Sequence, residues 1–477
     1  MISTNHTDVA TAPALLDRQA HWQQRLDDLA KANNIPGVQV GILRMGPDGA
    51  DELLELCHGV LNLNTGVPVT SDSVFQIGSI SKVWTTSVVM HLVDEGLLDL
   101  DTPIIELLPE LRLADPDTQA GLTMRHLVTH TSGIDGDLFT DTGRGDDVLE
   151  RFVALLPDLV QLFPLGESWS YCNAGFVLAG RVIEAVTGLT WDVAMRKFLF
   201  EPLGLPNTVT LPEEALLRRA AVGHVAGPDG QPIRIPTWNV PRSIGPAGGI
   251  MSTAADVLAF ARMHMAGGAA ADGTQVLAPE TVLAMQAKQA SLPAGVGGGE
   301  MDGSSWGFGW LRFQWDGSEL VGHNGGTWGQ AAALRLLPAQ GLAVVFLANG
   351  GEHDVLFETL SAELFAELAS IDKPTSPTEP PAASVRFDPA EYVGVYTNVA
   401  LRGEVVQREQ GLSLRISEAG GDEPDAALEI ALFAESEDVF LMTVPPDPSY
   451  IPVQLAALAS GRRFLHLGGR MLVQTTG

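Results

Sequence analysis

The chain has 477 residues, 45% of them hydrophobic and 18% charged, enough for a large core and more than one domain. Its net charge of −30 repels phosphate, which excludes nucleic acid and anionic membrane as partners and reads as solubility or salt tolerance. Two distant cysteines, Cys57 and Cys172, exclude a disulfide framework and fit a reducing compartment. Residues 1–15 carry no basic n-region and no apolar h-region, and no run of about 18 apolar residues occurs. Neither a secretory signal nor a membrane span is therefore expected, and the expected location is cytoplasmic.

In chain order, residues 1–17 are expected to form a disordered leader. Residues 18–33 show the spacing of an amphipathic helix, and residues 38–43 alternate as a strand that pairs with residues 53–60. A helix is predicted over 79–96. Residues 101–285 read as mostly helical, with helices near 177–186, 191–200 and 254–265. The Gly-rich stretch 294–304 reads as a flexible loop, because no strand-to-helix context makes it a phosphate cradle. Strands return at 307–313, 320–322, 331–336 and 343–347, followed by a helix near 355–368. Strands at both ends with helices between them predict one sheet completed by distant segments, with a helical lobe inserted. This defines a domain over 18–370. A proline-bearing linker over 371–386 precedes an all-β module over 387–477, with short strands at 392–396, 412–416, 439–444, 453–458 and 464–473.

Three elements carry chemistry. Ser79 and Lys82, three apart at a helix start, share one face. A lysine with a lowered pKa can take the serine proton, and helix N-terminal N–H groups can hold an oxyanion. Lys82 is one of only five lysines. Tyr171 is the only tyrosine before the linker, and a phenol beside a lysine can shuttle protons. His323-Asn324-Gly325-Gly326 lies between strand-like segments, where consecutive glycines admit a substrate backbone. The plainer alternatives are a packed tyrosine at a helix start and a turn histidine satisfied locally. His126 and His130 are four apart, but no Glu lies between them and no metal is expected. No Gly-x-Ser-x-Gly occurs. Residues 306–310, with Trp306 and Trp310, read as core and pocket lining, and Asp146 and Asp147 as a solvated turn.

Together, Ser79-x-x-Lys82, Tyr171-x-Asn173 and His323-x-Gly325 resemble the serine β-lactamase and penicillin-binding-protein family. The match is closest to its class C branch of esterases, D-amino-acid peptidases and amidases. Further matches are Thr129-His130-Thr131-Ser132-Gly133, Glu201-Pro202-Leu203-Gly204 and Ala247-Gly248-Gly249-Ile250. The resemblance covers about residues 20–370, and the C-terminal module looks like a lipocalin-like barrel. It implies an α/β fold: an antiparallel sheet flanked by helices, with a helical lobe. It implies an acyl-enzyme on Ser79, proton shuttling by Lys82 and Tyr171, and Asn173 bonded to the lysine and the substrate amide. His323, Asn324 and Gly325 would line the opposite wall, and the N–H groups of Ser79 and Gly326 would form the oxyanion hole. No cofactor is implied. The family's usual lysine in the third motif is His323 here, which favours esters, amides or small peptides, D-residues included, over penicillins. Similar penicillin-binding-protein-type thioesterases macrocyclise nonribosomal peptides, and that alternative adds a peptidyl carrier protein as partner. A non-catalytic protein that binds peptides or β-lactams is the remaining alternative.

Overall fold

Residues 342–348 are apolar throughout, and successive side chains of a strand point to opposite faces, so this segment needs cover on both. In the computed structural model it receives it. The structure describes residues 14–46, 50–380, 385, 387–409, 411–420, 428–444 and 449–475. A nine-stranded sheet is built from β1 (Gly37–Arg44), β2 (Glu52–Asn62), β3 (Val67–Pro68), β4 (Ala290–Ser291), β5 (Ser305–Trp306), β6 (Leu311–Trp315), β7 (Ser318–Thr327), β8 (Gln330–Leu337) and β9 (Leu342–Ala348). Its order is β3-β2-β1-β9-β8-β7-β6-β5-β4. The N-terminal strand β1 pairs antiparallel with β9, Val40 opposite Phe346, so distant segments do complete one sheet.

On β9, Val344, Phe346 and Ala348 face one core and Ala343, Val345 and Leu347 the other. The first core is closed by α1 (Gln19–Ala32), which buries Trp22, Leu26 and Leu29, and by the C-terminal helix His353–Ala369, which buries Leu356, Leu360 and Leu364. Each such side chain contributes about 1.5–3 kcal/mol, so these two helices fix the sheet's outer face. The second core is closed by α2 (Ser81–Asp94) and Ala254–Met265, with the helical lobe beyond. Among the described residues no helix is long and apolar enough to cross a membrane.

The C-terminal module is a closed barrel of eight antiparallel strands running from Gly394–Thr397 to Arg470–Gln474. Tyr396, Val405, Leu414, Phe440, Leu465 and Leu472 fill its interior, so it is a packed core. Its outer residues Leu458, Phe464 and Met471 pack on Leu162 and Phe163 of the helical lobe.

Several expectations are corrected. The helix expected from Ser79 begins at Ser81, and Ser79 lies in a 3-10 turn, Gly78–Ile80. Residues 307–310 are a turn between β5 and β6. The expected strand 464–473 is two strands, Arg463–Leu467 and Arg470–Gln474, joined at Gly468-Gly469. Both glycines have positive φ (55° and 84°), the backbone that a two-residue hairpin demands. Strands Leu401–Arg408 and Leu428–Ala434 were not expected. The Gly-rich stretch forms two 3-10 turns packed on the barrel rather than a free loop. A Cβ on Gly295 would lie 2.3 Å from the His466 carbonyl oxygen. Residues 1–13 of the expected leader, and 381–384 and 386 of the expected linker, lie outside the described residues. Leu15, within that leader, is fully buried, and Arg18 pairs with Glu367 at 2.7 Å. At the linker, Lys373 bonds Glu358 and lies 3.3 Å from Glu300, whose other oxygen takes Arg335 at 2.7 Å.

Candidate active site

Ser79 is positioned by close backbone approach. Gly78 has φ +52°, and a Cβ there would lie 2.5 Å from the Gly326 nitrogen. A Cβ on Gly325 would lie 1.9 Å from the Ile77 oxygen and 3.2 Å from the Ser79 nitrogen. Glycine at both positions is what brings the Ser79 and Gly326 amides side by side. The turn is anchored by Gln76 N–H on Gln330 Oε1 (3.0 Å), Ile77 N–H on the Ile250 oxygen (3.0 Å) and Ile250 N–H on Ser81 Oγ (3.1 Å). Gly326 has open space beside it, room for a reacting group.

Lys82, on the first turn of α2, has no exposed surface. Its Nζ bonds Ser79 Oγ at 3.0 Å and the Ala247 carbonyl at 2.6 Å. Among the described residues no carboxylate forms an ion pair with it. Burial therefore pushes its pKa well below the ordinary lysine value; nearby Arg470 lowers it further and Asp137 opposes this. A neutral amine 3.0 Å from a hydroxyl can accept its proton. The Tyr171 hydroxyl faces Ser79, whose side chain favours the ionised phenol, and Lys82 Nζ sits 4.8 Å from the centre of the Tyr171 ring. Burial raises the Tyr171 pKa, so the phenol stays protonated and can act as a donor.

Asn173 opens the helix Asn173–Thr187, which is capped by Cys172 Sγ accepting the Gly175 N–H at 3.2 Å and stopped by Gly188 at φ 69°. The bond expected from Asn173 to Lys82 is not formed. Asn173 Nδ2 donates instead to Asp137 Oδ1 at 2.6 Å, while Lys82 Nζ bonds Ser79 and Ala247. His323 and Gly325 share one face of β7, and Asn324 and Gly326 alternate onto the other, exposed one. His323 Nδ1 donates to the Asn324 carbonyl at 2.5 Å. Its ring lies 5.6 Å from Trp306 and 6.2 Å from Tyr171, and burial lowers its pKa to about 3, so it is neutral. Trp306 is buried against His130, Tyr171 and His323. His126 caps its own short helix through Thr123, apart from the site, and no group of side chains fit to hold a metal occurs among the described residues.

Sequence reasoning missed two residues. Asp137 bonds Asn173, and Arg470, from the barrel hairpin, bonds Asp137 at 2.9 Å and lies 4.6 Å over the Tyr171 ring. The same hairpin takes the Tyr171 N–H on the Gly469 oxygen (2.9 Å) and gives the Met471 N–H to Ser170 Oγ (3.1 Å). The Gly-Gly turn was the available signal.

A nucleophilic hydroxyl bonded to a buried amine and facing a phenol, with paired backbone amides beside it, defines a serine hydrolase of the penicillin-recognising fold. The chain belongs to the Beta-lactamase family, whose profile matches residues 22–366. It is 42% identical over 378 residues to penicillin-binding protein 4 of Amycolatopsis lactamdurans, covering 79% of this chain and 97% of that protein. It is 28% identical to esterase EstB of Burkholderia gladioli, over 72% of this chain and 91% of that one. The crystal structure of SurE with D-Leu superposes with a TM-score of 0.77 at 27% identity, covering 96% of this chain and 100% of that one.

Proposed function

We propose that the protein forms an acyl-enzyme on Ser79 and passes the acyl group of an ester, amide or small peptide to water. The observation that carries this is the buried Lys82 Nζ, without an ion pair and 3.0 Å from Ser79 Oγ. Neutral Lys82 takes the Oγ proton as the Oγ–C bond forms, and the carbonyl π pair moves onto the oxygen. That oxygen is held by the N–H groups of Ser79 and Gly326. Collapse of the tetrahedral intermediate expels the leaving group, which receives its proton through Tyr171. Water then attacks the ester, its proton returns through the same pair, and the acid departs as Ser79 regains its hydrogen. Asn173, held by Asp137, and the β7 segment His323–Gly325 border the acyl chain, Asn324 through its backbone because its side chain lies on the exposed face. A neutral His323 supplies no cation for a substrate carboxylate, which favours neutral acyl donors over penicillins.

A second reading changes the acceptor. The likeness to SurE extends over both domains, and that structure holds D-Leu. This supports acyl groups ending in a D-residue, and the reading adds an amine acceptor and a peptidyl carrier protein as the donor's vehicle. Turnover of p-nitrophenyl butyrate, a D-leucine amide and a synthetic peptidyl thioester by wild type and Ser79→Ala tests both. Hydrolysis lost in the variant supports the first reading, and a cyclic product the second. Full turnover by Ser79→Ala would sink both.

A further inference from the structure

Tyr171 is held from two sides, and one side has no assigned role. His130 is one of four described non-glycine residues with positive φ, at +60°. Such a backbone costs a histidine of order 1 kcal/mol and persists where the surroundings impose it. The surroundings here are the backbone N–H groups of the two residues on either side of Tyr171, Ser170 and Cys172. The Ser170 N–H donates to the His130 carbonyl at 3.1 Å, and the Cys172 N–H donates to His130 Nδ1 at 3.0 Å. The imidazole lies against the phenol ring, centroids 4.3 Å apart and planes 33° apart, and is walled by Trp306 (4.7 Å) and Phe176 (5.1 Å). Because Nδ1 accepts, the ring proton sits on Nε2, which is fully buried and meets no acceptor. A histidine kept only for packing would need neither the left-handed backbone nor a buried N–H left unpaired.

We propose that His130 is a positioning residue that clamps the backbone before and after Tyr171, through the N–H groups of Ser170 and Cys172, and so holds the phenol at Ser79 and Lys82. It touches neither substrate nor the reacting oxygen; it acts through Tyr171. This rests on the reading of Ser79 as the acylated nucleophile, which Ser79→Ala tests separately.

The discriminating variants are His130→Asn and His130→Gln. Asparagine places an acceptor where Nδ1 stands and tolerates the left-handed backbone, whereas glutamine places its polar atoms one bond farther. With p-nitrophenyl butyrate, His130→Gln and His130→Ala are expected to lose about 10²-fold in kcat with KM within about 3-fold, the scale of a misplaced proton shuttle. His130→Asn should regain at least about 10-fold of that loss. Added to Tyr171→Phe, His130→Gln should cost less than about 3-fold further, because both act through one phenol. The proposal is overturned if Asn and Gln variants of equal melting temperature have equal kcat. It is also overturned if His130→Gln costs its full factor in the Tyr171→Phe background. If His130→Ala does not fold, the Asn–Gln pair and the cycle decide alone.

Discussion

The two walls of the site are built in opposite ways. The Ser79 wall is made inside the hydrolase domain, from a strand, a 3-10 turn and a helix held by glycine-permitted backbone contact. The Tyr171 wall is an extended segment, residues 169–172, gripped by His130 on one side and by the barrel on the other. His466 Nε2 donates to the Trp169 carbonyl at 3.2 Å, and Gly469 and Met471 bond Tyr171 and Ser170. The barrel interior is filled by its own side chains, so the module's contribution lies on its outside, as a wall of the site. One wall carries the nucleophile and its base, and the other sets their electrostatics.

The largest expected effect breaks the first wall. Ser79→Ala and Lys82→Met should each lower kcat by about 10³–10⁴-fold or more, with the fold retained by circular dichroism. Gly325→Ala comes next. Its methyl would meet the Ile77 carbonyl at 1.9 Å, so strand and turn must part and the two amides separate. A kcat loss of about 10²–10³-fold and a lower melting temperature are expected. Gly326→Ala meets nothing within 4 Å and should leave the melting temperature within about 2 °C.

The second wall is tested by pH. Activity requires neutral Lys82, so kcat/KM should rise with pH through the lysine's lowered pKa. Arg470 pushes that pKa down and Asp137 pushes it up. Arg470→Gln should therefore move the acid limb to higher pH, and Asp137→Asn to lower pH. Unmoved limbs in both would show that the barrel does not tune the lysine.

The smallest effect concerns the seam between domains. Asp135 accepts the Val399 N–H of the barrel at 2.6 Å, and burial raises its pKa from 3.8 to about 6. The folded state thus favours the protonated acid. That contribution is fully present below pH 3.8 and is lost as pH rises through about 6. Asp135→Asn should be more stable than wild type above pH 6, by roughly 1–3 kcal/mol, with the difference vanishing below about pH 4. Denaturant melts at pH 4 and pH 7.5 measure it, and equal differences at both would contradict the linkage.

What was legible in the sequence follows the same division. Ser79-x-x-Lys82 is local, two side chains three residues apart, and the short, mostly apolar runs 331–336 and 343–347 read as strands. The barrel side of the Tyr171 wall depends on contacts separated by 297 to 333 residues, and the His130 side on one separated by 42, which no local period encodes. Asp137 sits in an irregular loop with no motif of its own. Arg470 follows a glycine pair that was absorbed into one long apolar strand, 464–473. Glycines 295 and 298 suggested freedom, yet a Cβ on Gly295 would meet the His466 carbonyl of the barrel and one on Gly298 the Pro452 ring. Leu401–Arg408 escaped notice because the positions alternating with Arg402, Glu404 and Arg408 include Gly403 and Gln407, which leave Val405 as the one large apolar side chain buried on that face.

The most direct test of the central claim is intact-mass measurement after mixing wild type, Ser79→Ala and Lys82→Met with a fluorophosphonate at pH 7.5. The account predicts one stoichiometric adduct on wild type, none on Ser79→Ala, and labelling slowed by about 10²-fold or more on Lys82→Met. An adduct persisting on Ser79→Ala, or equal rates for wild type and Lys82→Met, would contradict it.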